Sequence, residues 1–208
     1  MPKVSRTSVT ALCDVPDVLD PEIILMAYQR GFFPMGDERK GEVFWHRPAM
    51  RAIIPLDRVR IPRSVRKEAA KGQLRTTINQ CFATVILHCS QRDQTWITPE
   101  LIDAYTELHA MGCAHSVETW HGDDLVGGLY GVAINAAFFG ESMFSLRSNA
   151  SKVAFASLVD HLHDNHFVLL DTQYINDFTA GLGAIEIPDA DYIDLLTEAL
   201  ARRDASFV

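Results

Sequence analysis

Two carboxylates stand where a folded chain could use them for chemistry. Glu141 follows Ala137-Phe138-Phe139-Gly140, at the end of an apolar stretch that reads as a strand. A carboxylate there is either an idle solvated group or a partly desolvated one with a task. Asp171-Thr172-Gln173 follows Val168-Leu169-Leu170, and polar groups leaving the carboxyl end of a buried strand commonly line a crevice. Asp171 can accept a proton or orient an amine, and Gln173 can donate and accept hydrogen bonds. The plainer reading of Asp171 is a turn aspartate capping the loop at Asn176-Asp177.

Other segments point to a polyanionic partner. Arg58, Arg60, Arg63, Arg66, Lys67, Lys71 and Arg75 form a basic stretch interrupted by Asp57 and Glu68. It is either a solvated helix face or a patch for a short run of nucleic-acid backbone. Trp45, in a Pro-bracketed strand, and Trp96, before a helix, are core residues or surfaces on which unpaired bases stack. Ser148-Asn149-Ala150-Ser151-Lys152 opens a helix, as an ordinary cap or an anion cradle. His115 starts a strand and reads as a structural histidine rather than a base.

The elements that must position these groups follow from pattern. Asp20-Pro21-Glu22 is an N-cap and first turn, with Ile24, Leu25 and Tyr28 at helical spacing and Gly31 as the stop. Phe32-Phe33-Pro34-Met35 leaves extended, and residues 36–42 read as a polar loop. Val43-Phe44-Trp45 and Ala52-Ile53-Ile54-Pro55 are short strands, and a helix follows Pro62. A helix is expected over residues 79–89. Thr98-Pro99-Glu100 caps another, with the stripe Leu101, Ala104, Tyr105, Leu108. His115–Trp120, Leu125–Ala133 and Ala136–Phe139 form a meander joined by His121–Asp124 and Ile134-Asn135. A long helix to His163, a strand ending at Asp171, and a helix over 191–202 complete the chain. The order predicts an α/β (α+β) fold: a mixed sheet with flanking helices. A change of pattern near residue 60 predicts a small N-terminal domain over 1–60 and a catalytic domain over 61–208, with residues 1–20 as a loosely held arm.

Composition narrows the function classes. The 208 residues are 48% hydrophobic and carry a formal net charge of −8, which supports a real core and disfavours a general nucleic-acid coat protein. Cys13, Cys81, Cys89 and Cys113 form no C-x-x-C pair and lack a His cluster, so neither a metal site nor a disulfide framework is expected. The N-terminus has no apolar signal region and no run is long enough to span a membrane, which predicts a cytoplasmic protein.

Taken together, the segments Ala27–Met35, Ile61-Pro62-Arg63-Ser64, Thr95-Trp96-Ile97, Leu108-His109, Ala114–Glu118, Leu125–Val132, Gly140–Ser145, Asn149–Lys152, Asp171-Thr172-Gln173 and Leu182-Gly183-Ala184 resemble the leucyl/phenylalanyl-tRNA–protein transferase family. The resemblance runs over nearly the whole stretch from residue 20 to 195. It implies an acetyltransferase-superfamily (GNAT-like) C-terminal half and a smaller N-terminal domain. It also implies a cytoplasmic aminoacyltransferase that acts as a monomer and moves Leu or Phe from Leu-tRNA or Phe-tRNA to proteins beginning with Arg or Lys. Such transfer marks the acceptor for N-end-rule degradation. There are three departures from the family pattern: a short arm before residue 20, Phe178 where His is often found, and Asp189 where a basic residue is frequent.

An aminoacyl ester is already activated, so the resemblance implies no cofactor and no metal. Positioning supplies much of the rate. It places Asp171 and Gln173 at the reaction centre, with Asp171 accepting the proton or holding the amine through Gln173, and Glu141 paired with the cationic acceptor. Asn176 is a nearby polar contact. Phe138, Met143, Phe155, Leu158 and Leu170 would form the apolar pocket for the transferred side chain; Met suits a pocket that takes both Leu and Phe. Trp45 and Trp96 would stack near the tRNA 3′ adenosine, and Arg63, Arg66 and Lys67 would touch phosphates. The rivals are a CoA-dependent N-acetyltransferase, whose Gly-rich loop is missing from Leu146–Ser151, and a non-catalytic tRNA-binding protein, which leaves Glu141 and Asp171 without a task.

Overall fold

The computed structural model describes residues 19–37, 42–91 and 95–208. The expected arm, up to residue 18, and residues 38–41 of the expected polar loop lie outside the described residues. Helix α1 (Pro21–Gln29) starts as its sequence dictates: Asp20 accepts from the Glu22 amide, and Pro21 occupies the first turn. Strands β1 (Phe33–Gly36) and β2 (Val43–His46) pair antiparallel as a small separate sheet.

The rest is built on seven strands: β3 (Met50–Ile53), β4 (Arg75–Ile78), β5 (Ala114–His121), β6 (Asp124–Ile134), β7 (Ala137–Ser145), β8 (Leu169–Gln173) and β9 (Ile185–Pro188). Their order across the sheet is β4-β5-β6-β7-β8-β3-β9. All neighbours are antiparallel except β7 and β8, which run parallel. The expected meander is therefore the β5-β6-β7 core of a mixed α/β sheet. The boundary read near residue 60 falls after β3, so the large sheet draws one strand from the N-terminal side of it.

Side-chain alternation sends neighbouring apolar residues to opposite faces. Ile53, Tyr130, Phe139 and Leu169 pack on one face with Tyr28 of α1, with α3 (Phe82–Ser90) and α4 (Pro99–Ala110), and with Tyr192 and Leu196 of α7 (Asp189–Ala201). Ile54, Leu129, Phe138 and Leu170 pack on the other with α5 (Ala150–Asp164). Gly127 lets α5 sit tight on β6, because a Cβ there would lie 2.6 Å from the Ala150 Cβ.

Several expectations are corrected. The segment Arg75-Thr76-Thr77-Ile78 is an edge strand, and α3 starts at Phe82 rather than at 79; with Ile78 as its one apolar residue the segment carries no apolar alternation to mark it. A short helix α6 (Asp177–Gly181) and β9 precede α7. Helix α2 (Arg63–Ala70) follows Pro62 as expected. Strand β7 does not end before Glu141 but continues to Ser145.

Candidate active site

The site lies where β7 and β8 part. Their parallel pairing runs from Ala137↔Leu169 to Phe139↔Asp171; beyond it β7 follows β6 and β8 follows β3. Both strands are irregular at that point. Gly131 pairs with Gly140 and Tyr130 with Ser142, so Glu141 is the extra residue of a β-bulge. Ala52 pairs with Gln173 and Ile53 with Asp171, so Thr172 is extra in β8. Bulges re-aim side chains, and here they turn Glu141 and Thr172 toward the opening. Gln173 has φ +58°, which bends the chain out of the sheet.

Two cavities meet there. The larger, about 570 Å³, has apolar walls that include Ile54, Leu129, Met143, Phe155, Leu158 and Leu170. The smaller, about 220 Å³, is bounded by Phe33, Met35 and Tyr174. Trp96, Glu141, Thr172, Gln173 and Asn176 line both.

Glu141 is half-buried and surrounded by neutral donors. Its Oε1 accepts from the Tyr28 hydroxyl at 2.7 Å and from Gln173 Nε2 at 2.9 Å. Its Oε2 accepts from the Tyr105 hydroxyl at 3.1 Å, and the two tyrosine oxygens are 2.6 Å apart. Burial pushes the Glu141 carboxyl up to about 7, against the pull of the two tyrosine hydrogen bonds. Burial, with the Glu141 charge, raises both tyrosines well above the usual phenol value, so they stay protonated.

Asp171 is fully buried and lines neither cavity. Arg51, itself 1% exposed, donates to it through Nε at 3.0 and 3.1 Å and through Nη2 at 2.7 Å. The Tyr192 hydroxyl donates at 2.7 Å and the Gln173 amide at 2.9 Å. The Arg51 guanidinium lies over the rings of Phe33 and Tyr192 and also donates to the Gly31 carbonyl. Asp171 is thus a saturated acceptor that fixes the start of Gln173, and Gln173 in turn reaches Glu141.

The structure brings Glu141, Gln173, Trp96 and Asn176 together, with Met143, Phe155, Leu158 and Leu170 in the larger cavity. The Asn176 side chain also caps α6 by accepting from Thr179. Phe138 lines neither cavity: it is fully buried beneath Gly131 and stacks near Phe207. Trp45 pairs with Pro34 in the small sheet, packs on the core and lines neither cavity. Arg63, Arg66 and Lys67 are exposed on α2, and none enters an ion pair among the described residues. Helix α2 packs through Val65 on Val153 of α5, two residues beyond Ser151 at the rim of the larger cavity. His115 is structural: it stacks on Phe207 at 4.2 Å, and burial lowers it to about 4.

Both described departures have local settings. Phe178 lines the larger cavity beneath the Lys152 ammonium, 5.7 Å from its ring. Asp189 pairs with Arg47 through two hydrogen bonds of 2.9 and 2.7 Å. Sequence reading missed Tyr28, Tyr105, Arg51 and Tyr192 as site residues. The tyrosines sit on helical apolar stripes and read as core; Arg51, a charge directly beside the apolar run Ala52-Ile53-Ile54, was the available signal. Among the described residues no group of His, Cys, Asp or Glu is placed to hold a metal, and no helix is long and apolar enough to cross a membrane.

Comparison with known proteins gives consistent matches. The family model for leucyl/phenylalanyl-tRNA protein transferase matches residues 53–197, and that for its N-terminal domain matches residues 17–49. The leucyl/phenylalanyl-tRNA–protein transferase of Salinibacter ruber is 47% identical over 186 residues, covering 89% of this chain and 82% of the relative. The protein of that name from Chlorobaculum tepidum is 48% identical over 191 residues, covering 90% and 98%. A solved GCN5-related N-acetyltransferase from Anabaena variabilis superposes distantly, with a TM-score of 0.43 at 14% identity, over 79% of this chain and 40% of that one. The sequence matches span both the small sheet and the strands that carry Glu141 and Gln173, and on them this chain belongs to the leucyl/phenylalanyl-tRNA protein transferase family.

Proposed function

We propose that the protein transfers Leu or Phe from aminoacyl-tRNA to the N-terminal amine of proteins beginning with Arg or Lys, marking them for N-end-rule degradation. The observation that carries this reading is the pair of cavities sharing Glu141 and Gln173. A bisubstrate reaction needs two pockets that meet at one reacting pair of atoms.

The larger cavity takes the donor. Its apolar walls suit a leucyl or phenylalanyl side chain, and Met143 adapts to either. An apolar pocket separates similar apolar side chains poorly, which accounts for dual use. Trp96 offers a stacking face to the 3′ adenosine, and the exposed Arg63, Arg66 and Lys67 follow the phosphates leading away from it.

The smaller cavity takes the acceptor residue. Glu141 supplies a carboxylate to its cation, while Phe33, Tyr174 and Trp96 supply ring faces. Asp171 acts from behind as the anchor that sets Gln173, and Gln173 presents its amide to the reacting amine. No step calls for a cofactor, because the ester bond carries the activation. Both substrates are soluble, and this reading places the reaction in the cytoplasm.

Labelled Leu-tRNA incubated with a peptide beginning with Arg tests the reading. A peptide extended by one leucine is expected. Folded protein that leaves the peptide unextended with both Leu-tRNA and Phe-tRNA overturns it.

A further inference from the structure

We infer that Tyr28 and Tyr105 are positioning residues that make Glu141 the acceptor of the proton leaving the acceptor amine, because the three side chains form a hydrogen-bonded triangle one proton short. This rests on the proposed function above.

The three edges are Tyr28–Tyr105 at 2.6 Å, Tyr28–Glu141 at 2.7 Å and Tyr105–Glu141 at 3.1 Å. Each edge needs one proton, and the two hydroxyls bring two. With Glu141 ionised, one edge is always without a proton. A proton on Oε2 closes the ring: Glu141 donates to Tyr105, Tyr105 to Tyr28, and Tyr28 to Oε1. Gln173 Nε2 bonds Oε1 in either state. The triangle therefore holds the carboxylate ready and supports it once loaded.

Among the described residues the surroundings supply no competing base at that point. From β8 and β3, Asp171 and Arg51 act on Glu141 with opposite sign and are bound to each other. Tyr192 of α7 is engaged with Asp171, Tyr130 of β6 meets Tyr105 edge-on at 5.5 Å, and His88 of α3 stacks on Phe144 in the wall of the larger cavity. The raised Glu141 carboxyl brings its proton affinity close to that of an N-terminal amine.

The protons balance. The acceptor arrives as an ammonium with three. One passes to Glu141, freeing the nitrogen lone pair, which attacks the ester carbonyl carbon. The C–N bond forms, the C–O bond to the tRNA ribose breaks, and a second proton goes from nitrogen to the departing ribose oxygen. The third stays on the new amide. Glu141 releases its proton to solvent.

The test is the pH dependence of kcat/KM for an Arg-starting peptide at saturating Leu-tRNA, in wild type, Tyr28→Phe, Tyr105→Phe and the double variant. Wild-type activity is expected to rise with pH through the Glu141 ionisation and to fall again where the acceptor ammonium is lost. Removing hydroxyls weakens the ionised carboxylate more than the neutral one, so the rising limb should move up by roughly one to two pH units. The deficit should be tenfold or more below the limb and vanish above it. The carboxyl infrared band of the substrate-free protein, assigned by its loss in Glu141→Gln, should titrate with the same displacement. An equal loss at every pH, or a band that does not move, overturns the inference. A wild-type protein that transfers nothing sinks the proposed function instead, and the infrared titration still reports on the triangle.

Discussion

Asp171 and Glu141 face each other across Gln173 in opposite electrical settings. Gln173 donates its backbone amide to Asp171 and its side-chain amide to Glu141. Asp171 is neutralised by the guanidinium of Arg51, whereas among the described residues Glu141 has uncharged donors and an opening to both cavities. Two carboxylates that look alike in sequence thus divide into a buried anchor and a carboxylate open to both cavities.

Asp171→Asn should cost stability as well as rate. It leaves Arg51 as a buried charge with a neutral partner, and breaking a buried ion pair costs on the order of 3–5 kcal/mol. Thermal unfolding should show a clear drop in Tm, with transfer falling further than the folded fraction accounts for, while tRNA binding by the remaining folded protein persists. Unchanged unfolding together with normal turnover would remove Asp171 from the frame of the site.

Glu141→Gln mimics the loaded triangle, since its amide can donate to Tyr105 while its oxygen accepts from Tyr28. The Glu141 carboxyl is raised from 4.5 to about 7 in the folded protein. Its protonation therefore stabilises the fold fully below pH ~4.5, and that contribution is lost as pH rises through ~7. The variant should be more stable than wild type above pH ~7, by on the order of 2 kcal/mol, and the gap should close toward pH ~5. Denaturant unfolding at the two pH values measures it. In kinetics the same variant should lose transfer to Arg- and Lys-starting peptides, with little change in aminoacyl-tRNA binding; near-normal turnover would free Glu141 from the reaction.

Leu158→Phe should narrow the donor pocket. Leu158 is nearly fully buried and projects from α5 into the wall of the larger cavity. Phe-tRNA should suffer about tenfold more than Leu-tRNA in kcat/KM. Overpacking also costs about 1–3 kcal/mol, so the Phe/Leu ratio, rather than the absolute rate, is the readout. An unaltered ratio would place the transferred side chain elsewhere.

Arg63→Ala with Arg66→Ala should weaken tRNA binding and flatten its salt dependence. Each lost phosphate contact lowers the slope of log K against log salt by about 0.9 in duplex and about 0.7 in single strands. A slope equal to wild type would assign α2 to a plain solvated face.

Local signals were legible in the sequence. Asp20-Pro21 and Thr98-Pro99 cap helices as their chemistry requires, with side-chain oxygens accepting from Glu22 and Leu101. The alternation in β5, β6 and β7 specified the meander. What pattern does not carry is a break in its own period. The bulge at Glu141 lies beyond the strand as read to Phe139, and Phe138, assigned to the pocket because it flanks the Gly140–Ser145 motif, lies in the core on the same face as Phe155, Leu158 and Leu170. Long-range partners were hidden for another reason: Arg51 and Asp171 are 120 residues apart, and Tyr28 and Glu141 are 113 apart. The family resemblance supplied Asp171, Gln173 and Glu141 as a group, but the donors that divide their roles come from α1, α4, β3 and α7.

The bulge in β7 separates the fold from the chemistry. Gly140 and Ser142 pair with the consecutive residues Gly131 and Tyr130, so the ladder is already complete without the residue between them. Deleting Glu141 outright would join two neighbours whose partners and facing are already correct, and Tyr28 and Tyr105 would keep each other as hydrogen-bond partners. The carboxylate at the cavities is, in this sense, an insertion carried by a sheet that does not need it. A one-residue deletion, which in most strands reverses every side chain beyond it, should here give a well-folded protein with the activity removed.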